Sequence, residues 1–228
     1  MLCMTDDGRD TAYSARQAYQ NYAASVAYGK TSRLAGPLTL YRRRVERRAI
    51  TELLVRVPQG STVLDCPCGN GRWFDLLAGR AGRIIGVDIS AAMLQRARAR
   101  ATELDVDVDL IEGEVENLPL GDESVDFTFS FALTKHLPWP LQRRVLAEFA
   151  RVSRRGLICS FSVLTPISYA LWRRRGLVGS FPVSREQLDW MAGQVGLRTA
   201  LMVRCSSPVG VEWLVLYDKH AHGGDAAG

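Results

Sequence analysis

The chain has 228 residues, 47% hydrophobic and 23% charged, with a formal net charge of +5. That is the balance of one ordinary soluble globular domain, long enough to bury a full core. No apolar run approaches the length of a membrane span, and residues 1–10 are polar and acidic, unlike a secretory signal, so integral membrane association is not expected and the cytoplasm is.

In chain order, residues 1–11 read as a flexible N-terminus. Residues 12–28 read as a helix with Tyr13, Tyr19, Tyr22 and Tyr28 among alanines. After a break at 29–37, residues 38–57 read as a long basic amphipathic helix with Leu40, Val45, Ile50, Leu53 and Leu54 towards the core. Pro58-Gln59-Gly60 ends it. Strand 62–66, a glycine turn, helix 72–79 and strand 83–88 follow. Ser90 is a good N-cap for a helix over 91–104. The spacing then predicts strand 107–112, a loop at 117–121, strand 124–131, helix 138–154 and the strongly apolar strand 156–163. Ser184 caps a helix running to Val195 and ended by Gly196, and strands 198–205 and 211–218 close the fold. Five strands alternating with helices, then a strand pair, predict a doubly wound, mostly parallel α/β sheet with an antiparallel edge hairpin and N-terminal helices. One domain spans 12–218, with a helical cap at 12–57, an insertion or lid at 164–183 and a flexible tail at 219–228.

Cys3, Cys66, Cys68, Cys159 and Cys205 show no paired spacing for zinc, and Cys66-Pro67-Cys68 is too tight for an ordinary metal or disulfide frame. Reduced, buried thiols and no metal are expected. The excess positive charge is spread as arginines over helical segments beside apolar positions, which suits solvated faces. No nucleic-acid module motif is present, so a nucleic-acid partner is not favoured.

The stretch that organises the chain is V-L-D-C-P-C-G-N-G-R, from Val63 to Arg72. An apolar strand breaks into a turn containing Gly69 and Gly71, and glycines let a ligand approach the backbone. A dinucleotide site wants G-x-G-x-x-G, but Phe74 stands at the third glycine position. Asp65 before the turn would repel a pyrophosphate and suits a ligand carrying an ammonium group. Roughly twenty residues on, Asp88 ends the next strand, placed to accept both hydroxyls of a ribose.

These residues, with I-I-G-V-D-I-S-A-A-M-L and E-G-E-V-E-N-L-P-L-G-D-E-S-V-D-F, resemble the class I S-adenosylmethionine-dependent methyltransferases. The resemblance runs from about Tyr19 to Tyr217 and is closest to small bacterial enzymes of the ubiquinone/menaquinone-biosynthesis-like type. It implies a Rossmann-like seven-stranded sheet of order 3-2-1-4-5-7-6, and S-adenosylmethionine as cofactor with S-adenosylhomocysteine (SAH) as product. The cofactor residues it implies are Tyr19, Asp65, Cys66, Gly69, Gly71, Asp88, Ile89, Met93, Glu114, Val115 and Phe131. Two positions depart from the family: Pro67 replaces its usual first glycine, and Glu114 its usual aspartate.

In such sheets the loops after strands one, four and five face each other, which puts Lys135-His136 beside cofactor and acceptor. A neutral His136 can take a hydroxyl proton as the methyl group arrives; the plainer reading is that it caps or hydrogen-bonds the helix beginning at Pro138. The insertion, with Tyr169, Trp172 and Phe181, reads as a lid over the acceptor or as a connector packing its aromatics on the sheet. The leading function is methyl transfer to a small molecule, on an oxygen of a phenolic, quinone-like or secondary-metabolite acceptor, by a monomer or homodimer. A non-catalytic S-adenosylmethionine-binding protein is the alternative; a nicotinamide-dependent oxidoreductase is disfavoured by Phe74 and Asp65.

Overall fold

Strands covered on both faces need near-continuous apolar runs, and the inner strands here have them. In the computed structural model, which describes residues 36–164, 181–206 and 211–219, these runs pair into one seven-stranded sheet of order β3-β2-β1-β4-β5-β7-β6. The strands are β1 (Ser61–Asp65), β2 (Ala81–Asp88), β3 (Val108–Glu112), β4 (Val125–Ser130), β5 (Ser153–Ser162), β6 (Leu197–Arg204) and β7 (Glu212–Lys219). The first five are parallel, and β7 runs antiparallel between β5 and β6. The expected order and edge hairpin are therefore observed.

Helices cover both faces. On one, α1 (Pro37–Leu54), α2 (Phe74–Leu77) and α3 (Ala91–Leu104) bury Ile50, Leu53, Phe74, Leu77, Leu94 and Ala97. On the other, α4 (Trp139–Val152) and α5 (Arg185–Gly193) bury Leu141, Val145, Phe149, Leu188 and Met191. Ser90 caps α3 by accepting from the Met93 N–H, and Ser184 forms a capping box with Gln187 at α5, both as the sequence predicts.

Three local expectations are corrected. Leu40 is 54% exposed, because only the C-terminal half of α1 reaches the sheet; the inward face of the helix is Glu46, Ala49, Ile50, Leu53 and Leu54, an i, i+3, i+4, i+7, i+8 stripe. The helix after the glycine turn is only Phe74–Leu77, since turn geometry persists to Trp73. Helix α4 stops at Val152 and β5 begins at once, so Arg154 and Arg155 lie on the strand and face Asp126 at 2.9 and 3.6 Å. The helix expected at 12–28 and most of the insertion lie outside the described residues. No helix among the described residues is long and apolar enough to cross a membrane.

Candidate active site

The turn after β1 is stitched to both neighbouring strands. The Cys66 N–H donates to the Phe129 carbonyl on β4 (3.0 Å), the Cys68 N–H to the Val87 carbonyl on β2 (2.9 Å) and the Gly69 N–H to Asp88 Oδ2 (2.9 Å). The Cys66–Pro67 peptide is cis. Gly69 and Gly71 take φ of +54° and +73°, the left-handed region that a side chain disfavours. At Gly71 space forbids one as well: a Cβ there would stand 2.5 Å from Cε2 of the buried Phe74. Phe74, the residue that breaks the dinucleotide pattern, is thus the floor on which this turn folds.

Asp65 and Asp88 end adjacent strands and are both buried, with opposite accommodation. Asp88 accepts from two backbone N–H groups, Gly69 at Oδ2 and Ser90 at Oδ1, each at 2.9 Å. Burial raises its carboxyl above the usual aspartate range, with these two bonds pulling the other way. It closes the glycine turn onto the start of α3. Asp65 is 1% exposed and its Oδ2 has no hydrogen-bond partner. Burial first, and the charge of Asp88 second, push its carboxyl well above the usual range. A buried carboxyl oxygen without a donor, at the carboxyl end of a central strand, is a costly arrangement in a position where ligands of such sheets bind.

The loop after β3 closes on the same corner, the Gly113 N–H donating to the Asp88 carbonyl (3.1 Å). Val115 is buried there, while Glu114 is exposed and its backbone bridges to Asn117. Met93 is buried on α3 and Ile89 packs against the core. Phe131 is buried just past β4, edge-on to Trp73 with ring centroids 5.0 Å apart. The Cys66 thiol is buried and pushed well above its ordinary range, first by burial and then by Asp65, so it contributes packing rather than a nucleophile. The fold thus gathers Asp65, Cys66, Gly69, Gly71, Asp88, Ile89, Met93, Glu114, Val115 and Phe131 around the carboxyl ends of β1 to β4. Tyr19 lies outside the described residues.

Past β4, Ala132 turns through φ +63° and donates its N–H to Ser160 Oγ (2.6 Å), while the Thr134 hydroxyl bonds the Ser160 carbonyl. A 3₁₀ turn over Thr134–His136 follows. Its far side is held by the Phe181 N–H donating to the Lys135 carbonyl (2.9 Å), and by Gln142 Nε2 donating to the carbonyls of Leu137 and Phe181 (2.9 Å each). His136 is half-buried on this turn. Of the plainer reading only the capping half is not met: the N-cap of α4 is Pro138 and no side chain caps the helix. Lys135 is paired with Glu212 at the start of β7. Burial works against ionisation of Glu212, but Lys135, Arg42 and His136 hold its carboxyl below the usual glutamate range.

Four polar residues here escaped sequence reasoning. Ser130, ending β4, keeps its hydroxyl buried without a hydrogen-bond partner. Glu46 is buried on α1 and paired with both Arg42 and Arg72. Arg72 follows Gly71 directly, its guanidinium 4.2 Å from the Trp73 ring centroid and 5.9 Å from that of Phe131. Glu212 is tied to both Lys135 and Arg42. A signal existed for Glu46, an acid recurring in step with Ile50 and Leu53 on the core face; nothing in the sequence pairs Glu212 with Lys135. No cluster of three or more metal-ligating side chains occurs among the described residues.

Comparison with known proteins matches the same region. A family profile described as "Methyltransferase domain" covers residues 63–156. A malonyl-acyl-carrier-protein O-methyltransferase of Pectobacterium atrosepticum is 34% identical over 152 residues, covering 64% of this chain and 54% of that protein. A demethylmenaquinone methyltransferase of Bacillus licheniformis is 38% identical over 110 residues, 46% of each chain. The chain thus spans about half the length of the curated relatives it matches. Among solved structures, the magnesium protoporphyrin IX methyltransferase of Synechocystis with bound SAH superposes with a TM-score of 0.74, over 90% of this chain and 100% of that one. At 16% identity that likeness concerns the fold.

Proposed function

We propose that the chain is a class I S-adenosylmethionine-dependent methyltransferase that transfers a methyl group from S-adenosylmethionine to an oxygen of a small phenolic, quinone-like or secondary-metabolite acceptor, a reading supported by the methyltransferase-domain match over residues 63–156 and by the relatives it resembles. The observation that carries this reading is Asp65, a buried carboxylate whose Oδ2 lacks any donor, one strand from Asp88 and at the mouth of the glycine turn. Such a group is costly unless a ligand completes it. The relatives bearing this region act, by their names, on a malonyl-acyl carrier protein and on demethylmenaquinone, which supports a modest organic acceptor over nucleic acid.

The roles follow from the residues. Asp65 receives the ammonium end of the cofactor, and the turn at Gly69 and Gly71 lets the backbone come close to it. Asp88, with each carboxylate oxygen already taking one backbone N–H, offers its remaining lone pairs to the ribose hydroxyls. Ile89, Met93, Val115 and Phe131 supply the apolar walls, and the backbone at Glu114 borders the base. When bound, the cofactor supplies a methyl group already activated on a sulfonium. The protein's share is then alignment, exclusion of water and management of the acceptor's proton. His136 stands on the anchored turn after β4 and takes that proton as the neutral imidazole. Lys135 is satisfied by Glu212, so it offers little free charge to an anionic acceptor, which favours a neutral phenol or hydroxyquinone.

The test is titration with SAH in a calorimeter, then incubation with methyl-labelled S-adenosylmethionine and a panel of phenols and hydroxyquinones. Transfer of label to a phenolic oxygen is expected. Tight SAH binding with no transfer to any acceptor makes the chain a binding protein, and no SAH binding overturns the reading altogether.

A further inference from the structure

Glu46 stands on the core face of α1, where Ala49, Ile50, Leu53 and Leu54 share its stripe and an apolar residue would be the ordinary choice. It is 1% exposed. Its two oxygens are divided between two guanidiniums: Oε1 accepts from Arg42 Nε at 2.9 Å, and Oε2 from Arg72 Nη2. Only the carboxylate is buried, since Arg42 and Arg72 are 58% and 45% exposed, so an apolar side chain in its place strands no buried charge and stability alone is a poor reason for it. Its location supplies a better one. Arg72 directly follows Gly71, and its guanidinium lies against Trp73, the ring that meets Phe131 edge-on at the end of β4. The pair therefore ties α1 to the residue that leaves the glycine turn, while Asp88 holds Gly69 within it. Arg42 continues the chain of charges to Glu212 (3.6 Å) and so to Lys135 on the turn carrying His136.

We propose that Glu46 is a positioning residue of the cofactor site, holding Arg72 and through it the glycine turn in the geometry that receives the cofactor. The inference rests on the methyltransferase reading of that corner. A residue kept only for folding and one kept for positioning respond oppositely to the same substitution. Glu46→Leu fills the stripe with an apolar group, and Glu46→Gln keeps the shape while removing the charge.

The experiment measures thermal midpoint and SAH affinity for the wild type, both Glu46 variants, Arg72→Gln and the double variant Glu46→Leu/Arg72→Gln. The expected result is a Glu46→Leu midpoint equal to or above the wild type, with SAH Kd raised about tenfold or more. Because Glu46 acts through Arg72, the double variant should bind SAH no more weakly than Arg72→Gln alone. Additive losses in the double variant, or an unchanged SAH Kd in Glu46→Leu and Glu46→Gln, overturn the proposal. So does failure of both variants to fold, which makes Glu46 a folding residue. If the wild type itself binds no SAH, the methyltransferase reading has failed and this proposal falls with it. Wild-type binding with indifferent variants rejects the positioning role alone.

Discussion

Replacing Asp65 by asparagine should stabilise the ligand-free protein and weaken its cofactor binding, two effects of opposite sign from one substitution. Burial and the neighbouring Asp88 push the folded Asp65 carboxyl well above the range it has in an unfolded chain. Between those two values the folded state binds more protons than the unfolded state, so this group makes stability fall as pH rises through the window. Below the window both states are protonated and the group contributes nothing. The asparagine variant does not titrate and should escape the loss. Relieving an unsatisfied buried polar group is worth about 1–3 kcal/mol, and since asparagine keeps one amide to satisfy, about 1–2 kcal/mol is the better figure. For a chain of this size that is a rise in Tm of about 2–8 °C at alkaline pH, shrinking towards zero near pH 4. SAH affinity should drop about tenfold or more, because a charge-assisted contact to the ammonium is lost. Binding to the wild type should also release protons, seen as a dependence of the calorimetric heat on the buffer's ionisation enthalpy. An asparagine variant that is less stable at every pH, or that binds SAH as tightly as the wild type, refutes the assignment of Asp65 to the ligand.

Gly71→Ala must adopt φ near +73° against a cost of about 1–2 kcal/mol and also displace Phe74, so its melting temperature should fall and SAH binding be lost; an unchanged melt contradicts the packing described. Asp88→Ala removes the acceptor of the Gly69 and Ser90 N–H groups, charge-assisted bonds of about 1.5–3 kcal/mol each, and should lower both stability and SAH affinity at least tenfold, an intact Kd removing Asp88 from the site. His136→Ala should slow single-turnover transfer to a reactive phenol by about 10²–10⁴-fold while SAH affinity stays near wild type; an unchanged rate leaves alignment as the source of catalysis.

The sheet was legible in the sequence because its signals are local and redundant. Each strand is a short apolar run with punctuation at its ends, and Ser90 and Ser184 announce helix starts by chemistry that needs no tertiary partner. The glycine turn was equally plain, with Phe74 marking its departure from the dinucleotide pattern. Errors arose where the outcome depends on what lies across the fold. Leu40 sits in phase with apolar neighbours, but whether it is buried depends on where the sheet ends beneath α1. Arg154 and Arg155 suit a helix end until Asp126 on the adjacent strand is known to face them. The same holds within the site. Asp65 and Asp88 could be named from spacing, but which of the two is satisfied by backbone could not. Glu46, Arg72 and Glu212 derive their meaning from partners 26 residues or more away in the chain.

The distribution of charge at this corner itself argues for a ligand. Three carboxylates, Asp65, Asp88 and Glu46, are almost wholly withdrawn from water around one glycine turn. Two are accommodated by the protein: Asp88 by backbone N–H groups, which fixes the entry to α3, and Glu46 by guanidiniums, which fixes Arg72. Both arrangements hold the turn, Asp88 at Gly69 and Glu46 at Arg72. Asp65 alone retains a buried oxygen with no donor, and it is the one placed at the carboxyl end of β1, beside the switch between β1 and β4. A fold selected for stability alone would have neutralised it, since any apolar residue of its size costs less there. Preorganised donors and acceptors are effective because their reorganisation cost is met during folding rather than at binding. On the reading proposed above Asp65 is such a group held ready, with Asp88 and Glu46 keeping its surroundings in place.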